Sequence, residues 1–252
     1  MSASHFGGDG PRLLMVHGFG ADRLGWIGTA PALFPLVECW VVDLPGHGES
    51  SDIEPATELV QLAQQIDLPG LIQDNQPVHL LGHSLGGSLS LLLAAAYPDY
   101  VASLTLIAPS GLGRGVTRSF IAEYPTLDDA VQMRRWLETL VENPDLIADA
   151  LVKRALEQLD QDNSRTALNV IGQAVGHGEA EIGRALDAVI SSDVPRLVIW
   201  GEQDRVNPPS AADQQTFGGQ WLMLPNCGHL PHVEQRKPVT AAIESFLRSS
   251  FD

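Results

Sequence analysis

Gly82-His83-Ser84-Leu85-Gly86 is the stretch of this 252-residue sequence that decides its fold. The apolar residues 78–81 precede it and a helix-like stretch, residues 88–97, follows it, so we expect the serine on a sharp strand-to-helix turn. The tip of such a turn has strained backbone angles, and the residues two positions away must be nearly free of side chain. Gly82 and Gly86 occupy those positions. The pattern predicts a nucleophile elbow that presents the Ser84 hydroxyl above a sheet.

Short apolar segments alternate with helical stretches along most of the chain. Nearly continuous apolar segments of this kind are typical of parallel strands that helices cover on both faces. About a dozen residues precede the first of them, which leaves room for at most one short additional strand. The sequence therefore predicts an α/β fold with a mostly parallel, doubly wound sheet. The predicted strands are residues 13–16, 40–43, 78–81, 104–107, 197–200 and 221–224.

The strand pattern is absent between residues 111 and 194, where helical spacing replaces it. Apolar and charged residues recur there at helical intervals, so the helices are amphipathic and must pack against another part of the protein. We expect a core of residues 1–111 and 194–252, with an inserted helical lid, residues 112–193, above the strand ends. The predicted helices are residues 128–142, 144–158, 164–176 and 180–190, and Asn143-Pro144 separates the first two.

Two loops downstream of the elbow carry the partners that a serine nucleophile needs. A hydroxyl is a weak nucleophile, so it requires a base within hydrogen-bond reach and a carboxylate that orients the base. Asp204 follows the predicted strand 197–200, and His229 follows the strand 221–224. The order Ser84, Asp204, His229 is typical of hydrolases that have a serine elbow.

Neighbouring residues offer rival assignments for the acid and the base. Glu202 could orient the histidine in place of Asp204, but Asp204 lies deeper in the loop and precedes a rigid turn, residues 207–209. His232 is three residues from His229, and we expect it either behind the catalytic residues, without contact with the substrate, or at the rim of the pocket.

The loop after the first core strand supplies a candidate for the stabilisation of negative charge. Acyl chemistry needs two amide donors for the oxyanion. The N–H of Leu85 begins the helix after the elbow, and Phe19 lies between two glycines that let the backbone approach a substrate closely. The alternative for this loop is a plain tight turn. His17 is expected to brace it.

The composition disfavours several classes of binding partner and cofactor. With 31 acidic and 15 basic residues the formal charge is -16, which disfavours nucleic acid and anionic membranes as partners. No apolar stretch approaches the ~18 residues of a membrane span, and residues 1–10 lack a secretory signal. Cys39 and Cys227 fit neither a zinc site nor a disulfide framework. We expect a cytoplasmic protein with no metal and no organic cofactor.

These motifs together resemble the α/β-hydrolase superfamily over nearly the whole chain. The resemblance implies that Ser84 is the nucleophile, Asp204 the acid and His229 the base. It also implies that the N–H groups of Phe19 and Leu85 form the oxyanion hole. The matching segments are residues 17–20, 43–50, 82–87, 200–204 and 228–229.

Two narrower resemblances point to different substrates. Residues 109–113 and 140–147 are similar to the hydrolase-like domain of the acyltransferase component of acetoin dehydrogenase. That group carries a lipoyl domain ahead of the hydrolase domain, and a first core strand at Leu13 leaves no room for one, so we expect no transfer to a lipoyl arm within this chain. Carbon-carbon bond hydrolases of ring-cleavage pathways are also similar, and their lid arginine corresponds to Arg154. Their elbow usually has Asn at the position of His83.

We therefore expect a serine hydrolase that cleaves small-molecule carboxylic esters through an acyl-enzyme. The alternatives are a carbon-carbon bond hydrolase, an acyltransferase to a separate acceptor and a non-catalytic binding module. The sequence does not predict the oligomeric state. Five aromatic or apolar residues are expected to line an acyl pocket, although each is more often ordinary packing. They are Trp26, Phe120, Tyr124, Met133 and Trp136.

Overall fold

The computed structural model describes residues 3–71 and 76–251. Its seven strands are β1 Ala3–Gly7, β2 Arg12–Val16, β3 Glu38–Val42, β4 Val78–His83, β5 Val101–Ile107, β6 Arg196–Gly201 and β7 Gln220–Leu224. They form one sheet in the order β1-β3-β2-β4-β5-β6-β7. Only β1 is antiparallel to its neighbour, and the other pairs are parallel. The prediction of a mostly parallel sheet is confirmed, and β1 is the one short additional strand.

Eleven α-helices surround this sheet within the described residues. Side chains of β2 alternate between the two faces, so Leu14 and Val16 join one hydrophobic cluster while Leu13 and Met15 join the other. Helices therefore cover both faces, as the apolar strand pattern predicted. The helices are α1 Ala30–Leu33, α2 Leu59–Gln64, α3 Leu85–Ala96, α4 Arg118–Glu123, α5 Ala130–Glu138, α6 Asp149–Leu159, α7 Ser164–His177, α8 Glu179–Ile190, α9 Ala211–Thr216, α10 Pro231–Glu234 and α11 Arg236–Ser249.

The segment between β5 and β6 contains helices of two kinds. Helices α4 to α7 surround a third hydrophobic cluster of their own, which includes Met133 and Trp136. Helix α8 instead buries Ile182, Ala185 and Val189 in the cluster that covers the sheet, beside α3. The expected lid, residues 112–193, therefore contains one helix that belongs to the core layer. We propose that α4 to α7 alone form the lid.

The helix boundaries in this segment also differ from the prediction. Helix α4 was not predicted, because its six residues are too few for a clear helical period. The predicted helix 144–158 begins only at Asp149, after a single 3-10 turn that starts at Pro144. Helix α5 ends at Glu138, four residues before the predicted end. In the part of the chain that is described, no helix is long and apolar enough to cross a membrane.

Backbone contacts at two glycines join α3 to the end of β2. A Cβ on Gly86 would lie 2.2 Å from the carbonyl oxygen of Val16, and a Cβ on Gly82 would lie 2.3 Å from the carbonyl oxygen of Gly86. Distances this short exclude any side chain at these positions. The elbow glycines therefore let the helix begin directly against the sheet, which places Ser84 beside the end of β2.

The substitution Gly86→Ala tests this contact. We expect the free energy of unfolding to fall by about 1–3 kcal/mol, because the added methyl group forces the helix away from β2. Gly183→Ala is the matched control, since Gly183 also lies in a helix but has no atom within 4 Å of an added Cβ. Urea unfolding checks both variants. Equal stability of the two would show that the contact at Gly86 is not tight.

Candidate active site

Ser84 lies at the junction of β4 and α3 with a backbone conformation that few residues adopt. Its φ of 52° and ψ of -115° cost on the order of 1–3 kcal/mol for a residue other than glycine. Hydrogen bonds on both sides hold this conformation. The Ser84 N–H donates to the carbonyl of Ile107 at 3.0 Å, and the Ser84 carbonyl accepts from the N–H groups of Gly87 and Ser110 at 3.0 and 3.1 Å.

Ser84, His229 and Asp204 are predicted to act together, and His229 lies within hydrogen-bond distance of each of the other two. His229 Nε2 is 2.9 Å from Ser84 Oγ, and His229 Nδ1 is 2.7 Å from Asp204 Oδ2. With the Nδ1 proton donated to the carboxylate, Nε2 is free to accept from the serine hydroxyl. The rival Glu202 is exposed and makes no side-chain hydrogen bond with the imidazole among the described residues. The geometry is that of a base poised to take the serine proton.

Asp204 is fixed by donors from its own loop and from β6. Its Oδ1 accepts from the N–H groups of Val206 and Asn207, each at 2.9 Å. Its Oδ2 accepts from the indole N–H of Trp200 at 2.9 Å as well as from His229. The side chain is fully buried. These donors leave the carboxylate one orientation, with Oδ2 directed at the imidazole.

The main chain of His229 is also held, by residues to which the sequence analysis gave no role. Its N–H donates to the carbonyl of Leu140 at 2.8 Å, and its carbonyl accepts from His83 Nε2 at 2.9 Å. Glu234 accepts from the N–H of Gly228 at 2.7 Å and from the N–H of Glu142 at 2.8 Å. Two features of the sequence could have indicated these roles. His83 stands directly before Ser84, and Glu234 stands five residues after His229. His83 and Glu234 thus tie the histidine loop to the elbow and to the segment after α5.

The two candidate oxyanion donors have no other partner. Among residues 3–71 and 76–251, neither the Phe19 N–H nor the Leu85 N–H donates a hydrogen bond. A Cβ on Gly18 would lie 3.2 Å from the Cβ of Ser84, so the loop that carries Phe19 lies close to Ser84. In this position both N–H groups could donate to an oxygen beside the Ser84 hydroxyl.

Two buried histidines hold this loop from behind. His17 Nδ1–H donates to the carbonyl of Gly18 at 2.8 Å, and its Nε2 accepts from the N–H of Leu44 at 3.0 Å. His47 Nε2 accepts from the N–H of Gly20 at 3.2 Å, and the ring centroids of the two histidines are 5.1 Å apart. The expectation that His17 braces the loop agrees with these contacts. Each ring must be neutral, because a protonated Nε2 could not accept.

Burial explains why these rings remain neutral. Burial, together with the nearby His17, lowers the pKa of His47 to about 4. Burial likewise lowers the pKa of His17, although the carbonyl of Gly18 opposes this. The rings of His83 and His232 lie tilted against each other with centroids 4.7 Å apart. Burial lowers the pKa of His232 to about 3, with His229 and Arg236 adding to the effect, and burial together with His232 and His229 holds the pKa of His83 well below its ordinary value. His232 is thus buried behind His83, which is the first of its two expected positions.

The residues predicted to line an acyl pocket lie elsewhere. Trp26 is buried among the side chains that cover the opposite face of the sheet and contacts His232, with ring centroids 5.0 Å apart. The other four pack against one another inside the lid, where Trp136 stacks on Phe120 at 4.4 Å and on Tyr124 at 4.3 Å. Met133 is fully buried in the same cluster. None of the five lines the cavity of about 780 Å³ described below, although Tyr124 lines a small cleft beside Gly20 and His47. Packing accounts for the positions of these large side chains.

Arg154 is engaged in an ion pair. Its guanidinium pairs with the carboxylate of Asp22, which also accepts from the side-chain amide of Gln158 at 2.6 Å. This pair joins α6 to the loop after β2. A cavity of about 780 Å³ lies between α4, α7, α8 and the loop after β5, and Arg154 does not line it.

The remaining reactive groups form no second site. Cys39 and Cys227 are free and buried, and burial raises the pKa of each thiol to about 12. Within the described ranges, no three His, Cys, Asp or Glu side chains come together as a metal site requires. Asp43 accepts from the N–H groups of Arg23 at 2.7 Å and Glu49 at 2.9 Å, so it stabilises its own turn.

The chain is similar to one known protein family and to several known enzymes. Residues 13–242 match the alpha/beta hydrolase family. The chain is 31% identical, over 96% of its length, to the dihydrolipoyllysine-residue acetyltransferase component of the acetoin cleaving system of Pseudomonas putida, and it spans 65% of that relative. It is 29% identical to a pimeloyl-[acyl-carrier protein] methyl ester esterase of Neisseria meningitidis, over 96% of this chain and 78% of the relative.

A solved structure shows the same fold at lower identity. A meta-cleavage product hydrolase from Pseudomonas fluorescens IP01 superposes with a TM-score of 0.83. The match covers 98% of this chain and 94% of the other, with 20% identity. It therefore supports the overall fold.

The neutral histidines predict a loss of stability in acid. Because the pKa of His47 is about 4 when folded and about 6.5 when unfolded, its contribution is complete above pH 6.5 and declines as the pH falls towards 4. We expect a slope of about 1.4 kcal/mol per pH unit from this ring. His47→Gln should reduce the slope of the free energy of unfolding by that amount between pH 6.5 and 4.5. Parallel curves for both proteins would contradict the assignment.

Proposed function

The chain belongs to the alpha/beta hydrolase family, and we propose that it is a serine hydrolase that cleaves carboxylic esters through an acyl-enzyme. One observation carries the proposal, namely the unbroken series of hydrogen bonds from Ser84 through His229 to Asp204. The esterase among its relatives supports the same chemistry. The partner of such an enzyme is a small-molecule ester.

The proposed reaction has two halves. In the first, Ser84 Oγ bonds to the ester carbonyl carbon while His229 Nε2 takes the hydroxyl proton, and the N–H groups of Phe19 and Leu85 bind the oxyanion. The carbon-oxygen bond then breaks, and His229 gives the proton to the departing alcohol. In the second half, water takes the place of the alcohol, His229 removes its proton, and the acid leaves as the Ser84 hydroxyl is restored.

Asp204 has a positioning part in this scheme. Its Oδ2 accepts the Nδ1 proton of His229, which selects the tautomer that can act as a base at Nε2. When the imidazole becomes positively charged, the adjacent carboxylate stabilises it. The two backbone donors to Oδ1 and the indole of Trp200 keep the carboxylate from turning away.

Acyl transfer to a separate acceptor is the second candidate, supported by the acetyltransferase components among the relatives. It shares the acyl-enzyme and differs only in the group that attacks it. The chain spans just under two thirds of those relatives, so their activity does not pass to it as a whole. Carbon-carbon bond cleavage has less support, because Arg154 is engaged with Asp22. A non-catalytic binding module would have no need of the strained Ser84 or of the aligned base.

Covalent labelling tests whether Ser84 is the nucleophile. We expect a fluorophosphonate probe to modify the wild type at Ser84 and to leave Ser84→Ala unmodified. Asp204→Asn should slow labelling at least about 10³-fold, because it loses the correct tautomer of His229. Ser119→Ala, an exposed serine in α4, is the matched control and should label like the wild type. Labelling that persists in Ser84→Ala would contradict the proposal.

Substrate turnover separates ester cleavage from carbon-carbon cleavage. We expect short p-nitrophenyl esters to have a kcat/KM at least about 100-fold above that of a vinylogous diketone, a difference of about 2.7 kcal/mol in the barrier. Arg154→Gln should change both values equally, since this side chain contacts Asp22. Rapid cleavage of the diketone that is lost in Arg154→Gln would instead support the carbon-carbon hydrolase.

A further inference from the structure

Two residues in the wall of the 780 Å³ cavity form hydrogen bonds with the backbone of Ser84, although Ser84 itself does not line the cavity. Its wall includes Ser88, one turn after Ser84 in α3, and Ser110 from the loop after β5. Ser110 donates to the carbonyl of Ser84 through its N–H at 3.1 Å and its hydroxyl at 3.3 Å. The Ser88 hydroxyl donates in turn to the carbonyl of Ser110 at 2.5 Å. The volume is within the range of pockets that hold small molecules.

Two helical glycines preserve the volume of this cavity. Gly176 in α7 and Gly183 in α8 both line it, and an added Cβ on either would have no atom within 4 Å. Glycine within a helix is less stable than alanine, so a glycine without a steric reason is unexpected there. At these two positions a side chain would fit but would extend into the cavity. These two glycines therefore make their helices less stable than alanine would, and they leave the cavity unfilled.

The lining combines apolar walls with two cationic groups. Arg114 and Arg118 lie on the loop after β5 and at the start of α4, and both are exposed. In residues 3–71 and 76–251 neither guanidinium forms an ion pair, and Arg118 Nη2 makes one long hydrogen bond, 3.5 Å, to the carbonyl of Gly176. Glu179 is the one carboxylate among the described lining residues. The apolar side chains in the wall include Leu112, Ile121, Leu168 and Ile182.

We propose that this cavity binds the chain of the ester substrate and that Arg114 and Arg118 select a chain with a negatively charged end. An apolar chain of several carbons fits the walls, and a carboxylate or phosphate fits the planar donors of a guanidinium. A chain with a net charge of -16 otherwise repels anions, so two uncommitted arginines beside a cavity give a local exception. The inference rests on the proposed ester hydrolysis and adds the class of substrate to it.

A pair of matched esters tests the role of the arginines. The neutral probe is the p-nitrophenyl ester of octanoic acid, and the charged probes are the corresponding esters with a terminal carboxylate or a terminal phosphate. In Arg114→Gln/Arg118→Gln the ratio of kcat/KM, charged over neutral, should fall at least tenfold. Lys237→Gln/Arg248→Gln removes two positive charges from exposed positions of α11, outside the cavity, and should leave the ratio within twofold of the wild type. The charged ester whose ratio of kcat/KM falls more shows whether the arginines prefer a carboxylate or a phosphate.

A filled cavity tests the role of the glycines. In Gly183→Leu, the ratio of kcat/KM for octanoate over acetate should fall at least tenfold, because the leucine occupies the space for the chain. Gly183→Ala should change this ratio less than the leucine does and raise the thermal unfolding midpoint by about 1–4 °C, which shows that the helix accepts a side chain.

The outcomes distinguish a failure of this inference from a failure of the proposed ester hydrolysis. If the wild type is labelled at Ser84 and hydrolyses esters, but neither the arginine pair nor Gly183→Leu alters its ratio, the cavity assignment is wrong and the hydrolase remains. If the wild type is not labelled and cleaves no ester, the proposed function itself fails. A loss of ratio in Lys237→Gln/Arg248→Gln equal to that in Arg114→Gln/Arg118→Gln would show that the effect comes from overall charge and would overturn the site.

Discussion

The contact between the backbone of Gly86 and the carbonyl of Val16 is the constraint on which the site depends. It allows α3 to begin directly against the end of β2, so the residue before the helix must take the strained conformation seen at Ser84. The same contact brings the loop after β2 beside the nucleophile, where Gly18 has no room for a side chain. The elbow and the candidate oxyanion donors are therefore consequences of one packing requirement between a helix and a strand.

Neutral imidazoles organise the polar interior around this contact. His17 and His47 hold the loop that carries Phe19, while His83 holds the carbonyl of His229. Burial keeps the pKa of these three rings low, so each has one nitrogen that donates and one that accepts. A charged residue in the same places would require a counter-ion beside the nucleophile. Neutral rings orient the backbone without adding charge where the oxyanion develops.

The sequence predicted the features that depend on local pattern, and it could not predict those that depend on long-range packing. The strands, the elbow and the order Ser84, Asp204, His229 depend on short segments, and the structure has them together as expected. Amphipathic spacing shows that a helix face is buried but not what it packs against, so α8 was placed in the lid although it packs on α3. The same ambiguity misplaced Trp136 and its neighbours, which fill the lid core. His83 and Glu234 act across more than 90 residues, beyond any local pattern.

The central claim is that Ser84 carries the acyl group during turnover, and the most direct measurement is acid quenching during hydrolysis of a p-nitrophenyl ester, followed by mass spectrometry of the peptides. The account predicts a burst of p-nitrophenol of one equivalent per chain and an acyl group on the peptide that contains Ser84. A burst without an adduct at Ser84, or an acyl group on another residue, would contradict it.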